Sequence, residues 1–171
     1  MPKTKEVTFS IPGWVSVKLE PNDAERRAAW KLYVELATRV GSQSFDSSTG
    51  SVRAGLESLY GVFVLTRSIL REAGPDVART ENSFGPLAIG FLTEVLAPFL
   101  LKWNEPLREY EGQRKPEISI IGHEHNWDRY VDMCKNFDDI RPTLQGYVNA
   151  LADIAGVSRT ASADSKALVP A

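Results

Sequence analysis

The sequence predicts a mainly α protein, a four-helix bundle with kinked third and fourth helices and a short N-terminal β-hairpin or strand. Two patterns indicate this fold: four long segments repeat apolar residues at helical spacing, and residues 6–19 alternate apolar and polar side chains. The chain of 171 residues, 43% of them hydrophobic and 25% charged, is long enough to bury one sizeable core. We therefore expect a β segment at residues 1–20, a helical domain at 21–156 and a disordered tail at 157–171.

Residues 6–19 are predicted to form the hairpin. Two runs of alternating apolar residues flank Pro12 and Gly13, a pair that is typical of turns. The apolar positions of the two runs are Val7, Phe9, Ile11, Val15, Val17 and Leu19. Because an isolated hairpin is only marginally stable in water, we expect it to pack on the helices, extend a partner's sheet or pair with a second copy.

The first two helices have recognisable ends. Asn22 and Glu25 form a capping box at the start of the first helix, and Gly41 follows its last apolar residue. Gly74 and Pro75 are a strong stop for the second helix. The apolar positions predicted to face the core are Trp30, Tyr33, Val34, Ala37 and Val40 in the first helix and Leu56, Leu59, Tyr60, Phe63, Val64, Ile69 and Leu70 in the second. Phe45 is expected to anchor the loop between them to the core.

The third helix is predicted to begin after the N-cap Ser83 and contains residues 84–103, the most apolar stretch of the chain. The length of this stretch approaches that of a membrane span. A carboxylate at its centre, Glu94, and the helix-breaking Pro98 favour the buried central helix of a soluble bundle, so no membrane span is predicted. Peripheral attachment to a membrane through the same stretch remains an alternative.

The fourth helix is predicted to start at the N-cap Asn126 and to bend or divide at Pro142. A long connection through residues 112–125 precedes it. This connection carries both histidines of the chain, His123 and His125, within the sequence GHEHNWD. In an extended segment these two side chains would point to the same side.

The two histidines are the best candidates for chemistry. Glu124, Asp128 and Glu94 could add oxygen ligands to a zinc or iron site, but the helical H-E-x-x-H spacing and a supporting cysteine pair are both absent from the sequence. We therefore assign no metal, no cofactor and no catalytic residue. A ligand site between the bends at Pro98 and Pro142 would be lined by Glu94, His123, His125, Tyr60 and Tyr147.

Charge and cysteine content limit the partners and the compartment. The formal net charge is −2 and the small basic groups are interspersed with acids, so no nucleic-acid binding is predicted. The single cysteine, Cys134, cannot form an intramolecular disulfide, which suits a reducing compartment. The first residues lack the apolar region of a secretory signal, and a cytoplasmic protein is expected. Because no activating base is evident near Cys134, we interpret it as a structural side chain.

Two functions of different classes are compatible with these patterns. The first is a non-enzymatic interaction or accessory module of a bacterial cytoplasmic complex, which binds a protein partner or itself as a homo-oligomer. It is favoured because glycine-rich phosphate loops and nucleophile elbows are absent from the sequence, while the β segment and the apolar helices offer docking surfaces. The alternative is a bundle enzyme, or a ligand- or metal-binding protein, with a site around Glu94, His123 and His125.

Overall fold

The computed structural model describes residues 5–39 and 50–159. Within these ranges it confirms a mainly α protein with an N-terminal antiparallel hairpin. Its elements are β1 (Val7–Ile11), β2 (Val15–Leu19), α1 (Asp23–Arg39), α2 (Val52–Ala73), α3 (Phe84–Glu111), α4 (Ile120–His125) and α5 (Tyr130–Ala155). One continuous core takes side chains from the hairpin and from each of the four long helices α1, α2, α3 and α5.

The hairpin packs on the helices, the first of the three arrangements expected for it. Its strands pair in register from Val7 opposite Leu19 to Ile11 opposite Val15. Gly13 supplies the turn with a left-handed φ of 72°. The turn is tied to α5, because the Thr143 hydroxyl donates to the Pro12 carbonyl over 2.7 Å.

Helix α1 begins with the predicted capping box. The Glu25 amide donates to the Asn22 side-chain oxygen over 2.9 Å, and the Glu25 carboxylate accepts from the Asn22 amide over 2.7 Å. The predicted core face of α1 is wrong in part, because Trp30 and Val34 are 48% and 40% exposed. The side chains that α1 buries are Glu25, Ala28, Ala29, Leu32, Tyr33 and Leu36. The predictions for Val40, Gly41 and Phe45 concern positions outside the described residues.

Helix α2 begins and ends through local side-chain and backbone chemistry. The Ser51 hydroxyl accepts from the Ala54 amide over 3.2 Å at its start. Its stop is confirmed, since Gly74 has a φ of 74° and its amide donates to the Leu70 carbonyl before Pro75 opens a single 3-10 turn. The predicted core face is again wrong in part, because Tyr60 and Val64 are 60% and 49% exposed.

Helix α3 contains a π-helical segment, Phe91–Leu96, directly before Pro98. There the Ala97 amide donates to the carbonyl of Leu92, five residues earlier, so the backbone makes a wider turn just ahead of the proline ring. The helix runs on through Pro98 and Pro106 to Glu111. The bends predicted at Pro98 and Pro142 stay predictions.

By length and composition, α3 is the one helix of the described ranges that could cross a membrane. Its most apolar 18-residue window is 44% buried inside the protein. Phe84, Phe91, Leu96 and Trp103 are at most 1% exposed and belong to the core. The core helix of a soluble protein meets the same test of length and composition, so this feature alone is weak evidence for a membrane.

The predicted start of the fourth helix at Asn126 is wrong. Residues 120–125 form the short helix α4, where the Ser119 hydroxyl accepts from the Gly122 amide over 3.0 Å. The Asn126 amide donates back to the carbonyls of Gly122 and His123, so Asn126 ends this helix instead of starting the next. The long helix α5 begins at Tyr130 and continues through Pro142 as one α-helix. It ends before Gly156, whose φ is 76°.

The first residues of the predicted tail fold back on α5. The Val157 amide donates to the Ala152 carbonyl, and the Arg159 guanidinium makes two bonds to the Asp153 carboxylate, of 3.1 and 2.6 Å. The rest of the predicted tail, residues 160–171, lies outside the described residues.

Candidate functional site: a groove between α2 and α3

Glu94 lies on the exposed side of the π-helical segment of α3. Its carboxylate accepts a hydrogen bond of 2.5 Å from the indole nitrogen of Trp14, the last residue of the hairpin turn. The Trp14 ring also contacts the Phe91 ring at 5.8 Å between centroids. Glu94 therefore helps to seat the hairpin on α3.

His123 and His125 do not point to the same side. They lie two residues apart on α4, and such residues point to nearly opposite faces of a helix. His123 is buried and stacks on Tyr110 at 3.9 Å between centroids, whereas His125 is exposed and contacts the Tyr130 ring at 4.8 Å. The extended segment in which they would share a side is not formed, because a Ser119 cap starts a helical turn there.

His123 joins α4 to the end of α3 through two reciprocal hydrogen bonds. The Tyr110 hydroxyl donates to the His123 carbonyl over 2.6 Å, and His123 Nε2 lies 2.7 Å from the Tyr110 carbonyl oxygen. Because a carbonyl only accepts, Nε2 carries the proton. His123 thus has a structural contact on one ring nitrogen and an aromatic ring against its face.

Glu124, between the two histidines, is 1% exposed and caps α2. Its carboxylate accepts from the Ser51 hydroxyl over 2.8 Å and from the amides of Val52 and Arg53 over 3.0 and 3.2 Å. No group of three His, Cys, Asp or Glu side chains in the described ranges is arranged to hold a metal ion. Glu124, one of the three acidic residues considered as oxygen ligands, is therefore engaged at the N-terminus of α2.

Tyr147 and Tyr60 lie in opposite environments. Tyr147 is fully buried, its ring stacks on Phe91 at 3.7 Å between centroids, and its hydroxyl has no hydrogen-bond partner among the described residues. Burial raises the pKa of the Tyr147 hydroxyl far above its usual range. Tyr60 is exposed on α2. The five residues predicted to line one site, Glu94, His123, His125, Tyr60 and Tyr147, share no hydrogen bond or ring contact with one another.

Cys134 has the character of a structural thiol. It is buried on α5, and burial raises the pKa of its thiol. A raised pKa keeps the sulfur protonated at neutral pH and therefore a weak nucleophile.

Two further tryptophans, Trp103 and Trp127, pack edge to face at 6.1 Å between centroids. The guanidinium of Arg129 lies 4.7 Å from the Trp103 ring centre and 5.8 Å from that of Trp127. Both indoles are less than 10% exposed, at 1% and 7%. Arg129 therefore makes cation–π contacts with two buried indoles, whose ring faces are not available to a base or ligand.

A concavity with a mainly apolar lining, which sequence reasoning missed, lies between α2 and α3. We call it the α2/α3 groove, and its volume is about 550 Å³. Its apolar lining comes from Leu56, Tyr60, Phe63, Ala97, Leu100 and Leu101. Its polar rim comes from Arg53, Glu57, Asn104, Glu105 and Arg108.

Ion pairs fix one end of the groove. Arg53 makes two bonds to the Glu111 carboxylate, of 2.7 and 2.8 Å, and a third of 3.1 Å to the Asn104 side-chain oxygen. Arg108 donates to Glu105 over 2.9 Å. Arg53 is near the start of α2 and Glu111 is at the end of α3, so the two helices run antiparallel along the groove. Its rim charges are therefore largely satisfied by each other.

The middle of the groove exposes large apolar side chains. Leu101 is 79% exposed and Tyr60 is 60% exposed. The sequence contained a signal for this surface, because apolar residues of α2 cover more of the helix circumference than one core contact requires. The signal was missed because Tyr60 and Val64 were assigned to the core face.

Function has to be inferred from this geometry alone. Leu101, Tyr60 and their neighbours form a concave apolar surface, whereas Glu124 and His123 are engaged in contacts that join helices. Comparison of the chain with protein-family models, with curated proteins and with the solved structures of other proteins finds no match.

Proposed function

We propose that this chain is a non-enzymatic helical interaction module of a bacterial cytoplasmic complex, and that the α2/α3 groove is its docking surface for a helix of a protein partner or of itself. The observation that supports this most strongly is the exposure of Leu101 and Tyr60 on either side of an apolar groove of about 550 Å³. Contiguous exposed apolar surface rimmed by polar residues is typical of protein interaction sites.

The shape of the groove favours a helix as its occupant. The lining residues of α3 follow the spacing of one helical face, at 97, 100, 101, 104, 105 and 108, and those of α2 do so at 53, 56, 57, 60 and 63. Two antiparallel helices that present such faces leave a channel into which the apolar face of a third helix packs.

The chemistry of the groove favours binding over catalysis. Arg53 and Arg108 are paired with Glu111 and Glu105, so these four groups neutralise each other instead of converging on a free position. A general acid–base pair or a nucleophile with its base would have to be set at such a position. The proposal includes no nucleic-acid partner and no membrane span, and the lone buried thiol of Cys134 suits the reducing cytoplasm.

Leu101→Asp tests the proposed surface, with Val131→Asp as the matched control. The two residues are similarly exposed, at 79% and 74%, but Val131 lies on α5 and does not line the groove. A carboxylate at position 101 should weaken docking at least tenfold, since burying an unpaired charge in an apolar contact is strongly unfavourable. Neither variant should lose more than about 0.5 kcal/mol of stability, because both sites are on the surface.

The measurement has two parts. Wild type and both variants are tagged in the source organism, and the proteins recovered with each are quantified; the same purified chains are then examined by light scattering for self-association. The proposal predicts a protein, or a second copy, that is bound by wild type and Val131→Asp and lost with Leu101→Asp. If every association of the chain persists in Leu101→Asp, or if none exists, the groove is not a docking surface.

A further inference from the structure

The exposed face of α2 beside the groove has a self-complementary order. We call it the α2 stripe, formed by Glu57, Tyr60, Val64 and Arg67, all of them exposed. These positions are separated by three, four and three residues, so they lie along one face of the helix. The stripe is symmetric in position about residue 62. Tyr60 and Val64 lie two residues to either side of it, and the opposite charges Glu57 and Arg67 lie five residues to either side.

We infer that the occupant of the α2/α3 groove is a second copy of this chain, bound through an antiparallel pairing of the two α2 stripes across a two-fold axis near Val62. This inference rests on the proposed docking role of the groove and names its partner. In such a pair Tyr60 lies opposite Val64 of the second copy, and Glu57 lies opposite its Arg67. The two-fold axis generates each of these contacts a second time, as the closed interface of a homodimer requires.

The charges that flank the apolar part of the stripe support this partner. Glu57 and Arg67 make no ion pair within the described residues, whereas Arg53 and Arg108 on the groove rim are both paired. Their placement at opposite ends of the stripe leaves each without an ion pair to an opposite charge among the described residues of its own chain. Antiparallel pairing places Glu57 beside Arg67 of the second copy and Arg67 beside Glu57 of the second copy, so that the opposite-charge contact occurs twice. Parallel pairing would instead place like charges together.

Helix α3 completes the contact. Leu101 is 79% exposed and lines the same groove as Tyr60 of the stripe. An α2 helix of the second copy that enters the groove packs between this leucine and Tyr60. The same arrangement covers Leu101 of the second copy, so the most exposed large apolar side chains of the two helices are buried together.

Charge reversal tests the register of this dimer. Wild type, Glu57→Arg, Arg67→Glu and the double variant carrying both changes are compared by sedimentation equilibrium in low salt, with Lys135→Glu on α5 as a control at an exposed site outside the groove. Each single reversal sets like charges opposite each other twice, and should raise the dimer dissociation constant by about tenfold. The double variant restores opposite charges and should return to within about threefold of wild type, and Lys135→Glu should match wild type. Far-ultraviolet circular dichroism confirms that all variants stay folded.

Several outcomes overturn the inference. A wild-type chain that stays monomeric at the highest concentration measured excludes a second copy as the occupant. A dimer that ignores the single reversals, or that the double variant fails to restore, uses another surface or register. These failures are distinct from failure of the proposed function: a monomer that still binds a different protein through Leu101 keeps the groove as a docking surface and excludes only the homodimer.

Discussion

Two buried glutamates, Glu25 and Glu124, place their carboxylates on backbone amides at the starts of helices. Glu25 accepts from the Asn22 amide at the start of α1 and, over 2.8 Å, from the Phe84 amide at the start of α3. Glu124 accepts from two amides at the start of α2. Helix N-termini have unpaired amides and a partial positive charge, so a carboxylate is stabilised there even when it is buried. These two side chains join elements that are far apart in the sequence.

Replacing Glu124 should destabilise the fold through α2. Glu124→Ala leaves the Ser51 hydroxyl and two amides without their acceptor, and we expect a loss of about 2–3 kcal/mol in the free energy of unfolding. Glu124→Gln keeps one acceptor without the charge and should lose about half of that. Urea unfolding measures both, with Glu109→Ala, exposed on α3, as the control. An effect of Glu124→Ala no larger than that of the control would mean that the cap adds nothing to stability.

The sequence could identify these residues without revealing their roles. The capping box of Asn22 and Glu25 was predictable because its partners are three residues apart, but the second bond of Glu25 reaches an amide 59 positions away. Glu124 stood between two histidines, in a pattern that indicates metal ligands as readily as a cap. Its partners in α2 lie more than 70 positions earlier, so only the tertiary fold shows that its carboxylate is already engaged.

At the scale of elements, the sequence predicted correctly those turns and helix ends that depend on neighbouring residues. The hairpin followed from alternation around Pro12 and Gly13, and the end of α2 followed from Gly74 and Pro75. The start of α5 was mispredicted because Asn126 suits either end of a helix, and a hydrogen bond back to α4 decided the matter. The exposed faces of α1 and α2 were assigned to the core because apolar spacing shows that a face exists but not what covers it.

A pair of glycine substitutions tests how the hairpin is seated. A Cβ at Gly146 would lie 2.6 Å from the Pro12 ring and 3.4 Å from the Ile11 Cα, whereas a Cβ at Gly61 would meet only the flexible end of Arg39, at 2.6 Å. Both changes favour helix formation by up to about 1 kcal/mol. Gly61→Ala should therefore stabilise the protein, and Gly146→Ala should destabilise it by about 1–2 kcal/mol net, because the hairpin must shift away from α5.

Urea unfolding of the two alanine variants distinguishes the packing of the hairpin from helix propensity. Gly61→Ala serves as the matched control, since both glycines lie inside long helices. Equal stabilisation by the two substitutions would show that the hairpin does not rest on α5 in solution.

The described helices and the hairpin share one core and leave an apolar channel open between α2 and α3. Burial accounts for the inner faces of the helices, and the hairpin covers part of α3 and α5 through Trp14 and Pro12. The α2/α3 groove has no such cover within the described residues. The sequence carried a signal for surplus apolar surface on α2, but it did not reveal the channel, because the channel depends on how far apart two antiparallel helices stand. We propose that assembly covers it.

Hydroxyl-radical footprinting measures directly whether the α2/α3 groove is covered when the protein assembles. The dilute chain is compared with the assembled chain, whether it is assembled with itself or with a captured protein. Oxidation of Tyr60 and Leu101 should fall in the assembled state, while Val131, which is similarly exposed at 74%, should be oxidised at the same rate in both. Unchanged oxidation of Tyr60 and Leu101, with protection of a different surface such as Trp30 and Val34 on α1, would contradict the assignment of the groove as the docking surface.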